Sequence, residues 1–144
     1  MDVDQHPHIG LATLTYLLEG EIEHRDSVGS EQLIKPGSVN WMIAGRGVTH
    51  TERTPAELRT GQEFTMHGYQ IWVALPRHVE FCKPSFHHFK ASDLPQWQDG
   101  TARFKLVAGE GFGRKSPVPT HSPLFMVEII NGEEPYELDL SEAL

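Results

Sequence analysis

The sequence has one cysteine, Cys82, so no disulfide can form within the chain and a cysteine-rich zinc site is excluded. A reducing, cytoplasmic setting is the expectation. There is no apolar run of membrane-spanning length, and the opening residues, MDVDQHPHIG, lack the basic and apolar regions of a signal peptide. Basic residues are few. Twelve Lys and Arg stand against 20 Asp and Glu, a formal net charge of −8, and no stretch gathers the basic ones on one face. Such a surface repels phosphate backbones and anionic bilayers, so neither direct nucleic-acid binding nor membrane docking is expected. Amphipathic helices of three turns are also missing, and residues 57–62 hold one turn at most. The hydrophobic share of 38% and the charged share of 22% describe a folded chain rather than a disordered one.

What the sequence does contain is short strands between Gly, Pro, Asn and Asp breaks. Strands are expected over 11–18, 21–25, 32–34, 39–43, 48–53 and 66–75. Lys35-Pro36-Gly37 and Ala44-Gly45-Arg46-Gly47 supply turns between them. Residues 77–100 carry Pro84, Pro95 and the pair His87-His88, and read as a connector with one short strand near 86–89. Strands over 103–108 and 124–130 follow, separated by a mobile-looking turn at Gly109-Glu110-Gly111-Phe112-Gly113. The tail, with Glu133, Glu134, Glu137, Asp139 and Glu142, offers no evident core face. The class is all-β, a sandwich or barrel.

Nine histidines are many for this length, and their spacing is informative. His6-Pro7-His8 sets two imidazoles at positions i and i+2. In an extended chain these point to one side, and Pro7 favours that extension. His50-Thr51-Glu52 repeats the pattern with a carboxylate. Two such pairs on facing strands converge on one ion, and the separation of His8 from His50 leaves room for about four short strands. Three imidazoles and one carboxylate suit Fe(II), Mn, Co, Ni, Cu and Zn alike. On an octahedral ion they leave two positions open, a catalytic pattern rather than a closed structural one. The other histidines carry less. His24, among Glu23, Arg25 and Asp26, reads as a surface residue. His67 is within reach of the pocket as a supporting group. His78, His87, His88 and His121 fall in connectors and read as solvated. Gly45-Arg46-Gly47 and the glycines at 109, 111 and 113 lack a following helix and are turns rather than phosphate loops. Cys82 has no partner base, and Trp41, Trp72 and Trp97 read as core or rim.

The segments HPHIGLATLTYLLEGEIEHRDS, KPGSVNWMIAGRGVTHTE, YQIWVALP and KLVAGEGFGRKSPV together resemble the pirin family, bicupins of the cupin superfamily. The resemblance implies a jelly-roll β-barrel, incomplete relative to a full bicupin. Residues 1–76 would form the metal-bearing cupin barrel, 77–100 the connector, and 101–144 the start of a second cupin with an acidic tail. It implies that His6, His8, His50 and Glu52 hold the metal, with iron(II) the usual ion. It also implies quercetin 2,3-dioxygenase-type chemistry on a flavonol-like substrate and dioxygen, with Glu52 as the catalytic base. The alternative it carries is a non-enzymatic, redox-sensitive interaction module that co-regulates transcription. Pirins usually have Arg after His-Pro-His, where this sequence has Ile9. The chain looks like a short or truncated member with unpaired sheet edges, so a homodimer is expected, with strand exchange as one route.

Overall fold

The computed structural model describes residues 2–61, 63–132 and 134–143, the Glu142 side chain excepted. Gln62, at the end of the expected helical turn, and Glu133, in the acidic tail, therefore lie outside the described residues. The expected all-β class holds: the chain is built from strands, with single 3-10 turns at Ala56–Leu58, Ala91–Asp93 and Leu140–Glu142. It divides into two compact units, Met1–Ala91 and Ser92–Leu144. Among the described residues no helix is long and apolar enough to cross a membrane.

The first unit has two antiparallel sheets. One runs β1 (Asp2–His8), β6 (Val48–Arg53), β3 (Ile22–Asp26), β4 (Glu31–Ile34). The other runs β7 (His67–Ala74), β2 (Leu11–Glu19), β5 (Val39–Ile43), β8 (Ser85–Phe89). β1 extends well beyond the His-Pro-His motif. It lies at an edge, where Pro7 can sit opposite Thr49 without leaving a central ladder short of a donor. The register of β1 on β6 shifts between Val3 and His6, and this bulge sets His6 directly opposite His50.

Side chains two apart share a face, so apolar residues collect between the strands in two groups. Leu17, Ile22 and Ile34 pack with Met66; Met42, Ala44 and Val48 pack with Phe86. Each such aliphatic side chain, fully buried, contributes about 1.5–3 kcal/mol. The turn between β5 and β6 is fixed by Gly45, whose φ is +49°. A Cβ there would lie 2.2 Å from the Cys82 carbonyl oxygen, which accepts the Arg46 backbone N–H at 3.0 Å. The turn thus aims the His50 strand, as its glycines suggest, and Cys82 takes part through its backbone.

The stretch 77–100 is more ordered than a connector. β8 pairs with β5; on it Phe86 and His88 share one face and His87 and Phe89 the other, and Phe86 reaches the Met42 group. In the second unit β9 (Gln96–Asp99) pairs with β10 (Ala102–Gly111), which also pairs β11 (Arg114–Lys115) and β12 (Phe125–Ile130). Trp97 stacks on Phe104 at 5.0 Å. The glycine-rich turn after β10 is a tight hairpin: Phe112 and Gly113 both have positive φ, +53° and +65°, the backbone of a type I′ turn. The tail also finds a partner. Tyr136 packs edge-on against Phe104, and its hydroxyl donates to Asp99 Oδ2 at 2.6 Å.

Candidate metal centre

β1 and β6 bring His6, His8 and His50 together. One ring nitrogen of each lies within 4.8 Å of the others. Nε2 of His8 and Nε2 of His50 are 3.0 Å apart, and the His6 and His50 ring centres are 4.3 Å apart. His6 donates its Nδ1–H to the Asp4 carbonyl at 2.8 Å, which leaves Nε2 bare. The His8 ring is steadied edge-on by Trp72 at 5.1 Å. Burial, with the neighbouring His24, His6 and His8, pushes the His50 pKa down to about 3; burial and His6 lower that of His8. Both rings are therefore neutral at physiological pH, the form that ligates metal.

These residues fit a transition-metal ion. Two nitrogens bound at right angles, each about 2.1 Å from an ion, lie about 3.0 Å apart. That is the spacing of His8 and His50.

Glu52 stands differently. It groups with His50 and His24 within 4.8 Å, but no such grouping joins it to His6 and His8. Its carboxylate is held by Gln70, whose Nε2 donates to Oε1 at 2.7 Å and to Oε2 at 2.9 Å. Thr15 Oγ1 lies at 3.5 Å. The Gln70 amide is oriented in turn by Trp72, whose Nε1–H donates to Gln70 Oε1 at 3.4 Å. Glu52, Thr15 and Gln70 line a cavity of about 310 Å³, with Leu17, Ile22 and Met66 supplying apolar wall.

Several sequence expectations change. His24 is not a surface residue: it is 3% exposed and stacks on Phe86 at 4.4 Å. On β3, Glu23 and Arg25 face out while His24 and Asp26 face in, so the charged neighbours were a poor guide to the even positions. The His-x-Asp spacing is the same i, i+2 signal as His-x-His, and it could have exposed the pair. Asp26 is buried, which alone would raise its pKa, yet hydrogen bonds from His24 and Ser30 hold it below the usual carboxylate value. Gln70 and Thr15 carried no sequence signal, since each is one residue of an ordinary alternating strand. His67 is exposed beside Glu19, away from the cluster. His87 and His88 are half-buried on β8, with His88 Nδ1 donating to Asn40 Oδ1 at 2.7 Å.

With this geometry in hand, similarity to known proteins is decisive. The Pirin family model matches residues 1–73. The chain belongs to the pirin family. A pirin-like protein of Caulobacter vibrioides is 56% identical over 127 residues, which is 88% of this chain and 43% of that protein. The crystal structure of a quercetin 2,3-dioxygenase from Acinetobacter baumannii matches with a TM-score of 0.82 at 44% identity, covering 91% of this chain and 42% of the other. The bacterial pirin YhhW of Escherichia coli, in complex with nickel(II), matches at a TM-score of 0.56 and 25% identity, over 74% of this chain and 49% of that one. The fold is thus of the cupin type found in pirins. The chain spans less than half the length of these relatives.

Proposed function

We propose that this pirin-family chain is a metal-dependent oxygenase of the quercetin 2,3-dioxygenase type. His6, His8, His50 and Glu52 would hold one divalent transition-metal ion, iron(II) by family resemblance, and the substrate would be flavonol-like. The observation that carries this reading is the cavity beside Glu52, about 310 Å³, lined by polar Thr15, Glu52 and Gln70 and by apolar Leu17, Ile22 and Met66. Its size is at the lower end of small-molecule sites, roughly 300–1,000 Å³. A cavity that reaches Glu52 supports an enzyme over a redox-sensitive interaction module, which needs no substrate access. When bound, the ion supplies Lewis-acid polarisation and redox chemistry.

The chain's own residues would do the rest. His6 and His8 present imidazole nitrogens from one strand, and His50 from its neighbour. Glu52, its carboxylate oriented by Gln70, accepts the proton of a substrate hydroxyl entering the cavity. Leu17, Ile22 and Met66 pack against the apolar part of an aromatic substrate and exclude water there. The exposed edge strand β7 pairs with a second copy of the chain.

The test is oxygen uptake with quercetin, using protein loaded in turn with iron(II), manganese, cobalt, nickel, copper or zinc. Quercetin-dependent uptake with at least one metal is expected. No uptake with any of them rejects the oxygenase reading.

A further inference from the structure

A buried chain of hydrogen bonds runs away from the His cluster on the side opposite His8. Nδ1 of His50 lies 3.3 Å from Nδ1 of His24. Nε2 of His24 lies 3.0 Å from Asp26 Oδ2. The other Asp26 oxygen, Oδ1, accepts the backbone N–H of Val28 at 3.0 Å and of Ser30 at 2.9 Å. The side chains of His24 and Asp26 are 4% and 0% exposed. Phe86 lies flat against the His24 ring, at an interplanar angle of 20°.

Each link constrains the next. A carboxylate that accepts two backbone N–H groups on one oxygen and faces a ring nitrogen with the other has no proton to give. The proton of that last contact therefore sits on His24 Nε2. With its single ring proton so placed, His24 has a bare Nδ1, which can only accept. His50 must supply the donor, so its own proton sits on Nδ1, and its Nε2 lone pair faces His8 and His6. A ligating histidine whose second nitrogen is held this way has its tautomer and ring angle set before the ion arrives.

We infer that His24 and Asp26 are positioning residues that lock His50 in the tautomer presenting a bare Nε2 to a metal ion. This rests on the reading of His50 as a metal ligand. His24 also groups with His50 and Glu52 within 4.8 Å, which raises the rival that it ligates metal itself. Both its nitrogens are already engaged, one by Asp26 and one by His50.

Asp26→Asn is the decisive variant. The amide can keep its carbonyl oxygen on the Val28 and Ser30 N–H groups while its NH₂ donates to His24 Nε2. His24 then carries its proton on Nδ1 and donates to His50, which must move its proton to Nε2, toward His8. Proton–nitrogen correlation NMR of histidine-labelled protein reads these tautomers directly, without metal and with diamagnetic zinc(II). The wild type is expected to show His50 protonated on Nδ1 and His24 on Nε2, before and after zinc. Asp26→Asn is expected to reverse both and to weaken zinc binding about 10- to 100-fold.

Wild-type His50 protonated on Nε2, unchanged tautomers in Asp26→Asn, or a His24 nitrogen shifted by direct zinc coordination would each overturn the inference. The wild-type spectrum decides the first point even if the variant does not fold. The metal-free tautomers also separate the two readings: a wild type with the expected tautomers but no zinc binding would defeat the metal site and leave the relay standing.

Discussion

Nε2 of His8 and Nε2 of His50 stand 3.0 Å apart, held there by neighbouring strands whose backbones fix the separation. Burial keeps both rings neutral, and in the tautomers that suit a ligand both nitrogens carry lone pairs. Without metal one ring can keep its Nε2–H and donate to the other, a single hydrogen bond that two bonds to an ion would replace. Metal loading should therefore stabilise the fold. At a free metal concentration about 100 times Kd, the gain is about 2.7 kcal/mol, which a calorimetric melt would register as a rise in Tm. An unchanged Tm at saturating metal would contradict this.

Acid should destabilise the metal-free protein through the same rings. An unfolded histidine titrates near about 6.5, whereas folded His50 is held down to about 3. The unfolded chain thus binds more protons, so stability is fully present above about pH 6.5 and is lost as pH falls below it. His8 acts in the same direction. The slope is up to about 1.4 kcal/mol per pH unit for each such histidine. Urea midpoints measured at pH 7, 6 and 5 should fall steadily, and a flat series would show that the rings are not buried as described.

Gln70 holds the Glu52 carboxylate through two short bonds. A hydrogen bond to a charged group is worth about 1.5–3 kcal/mol. Gln70→Leu should therefore cut turnover about 10- to 100-fold while metal content stays stoichiometric. Wild-type turnover in this variant would remove Glu52 orientation from the mechanism.

The turn at Gly45 can be tested apart from chemistry. Its positive φ, and the 2.2 Å approach of a built Cβ to the Cys82 carbonyl, leave no room for a side chain. Gly45→Ala should destabilise by more than about 1 kcal/mol. Equal stability of variant and wild type in urea would refute that account.

β7 is an edge strand with exposed Tyr69, Ile71 and Trp72. Such an edge invites pairing with another chain. Sedimentation at tens of micromolar should give a dimer, and Ile71→Lys should shift it toward monomer. A monomeric wild type would overturn the pairing.

Much of this was legible in the sequence because period-two spacing survives without an alignment. His6, His8 and His50 lie on strands whose alternation fixes their faces, and they meet as that alternation requires. Glu52 follows the same rule, yet the cavity and Gln70 draw its carboxylate to one side, a choice made by tertiary packing alone. His24 and Asp26 obeyed the rule too, but the odd positions beside them, Glu23 and Arg25, pair on the surface and disguised the strand as an exposed one. β9 is a local hairpin with β10 across Gly100-Thr101, and the turn signal at Asp99-Gly100 was there to be read; the place of Tyr136 depends on its contact with Phe104 from distant sequence, which no local pattern encodes.

The central claim is one divalent metal ion held by the His6, His8 and His50 cluster. Metal content by mass spectrometry, on wild type and His50→Ala loaded and desalted side by side, tests it most directly. One ion per chain is predicted for the wild type and essentially none for His50→Ala. A stoichiometric ion retained by His50→Ala would place the metal elsewhere and contradict the account.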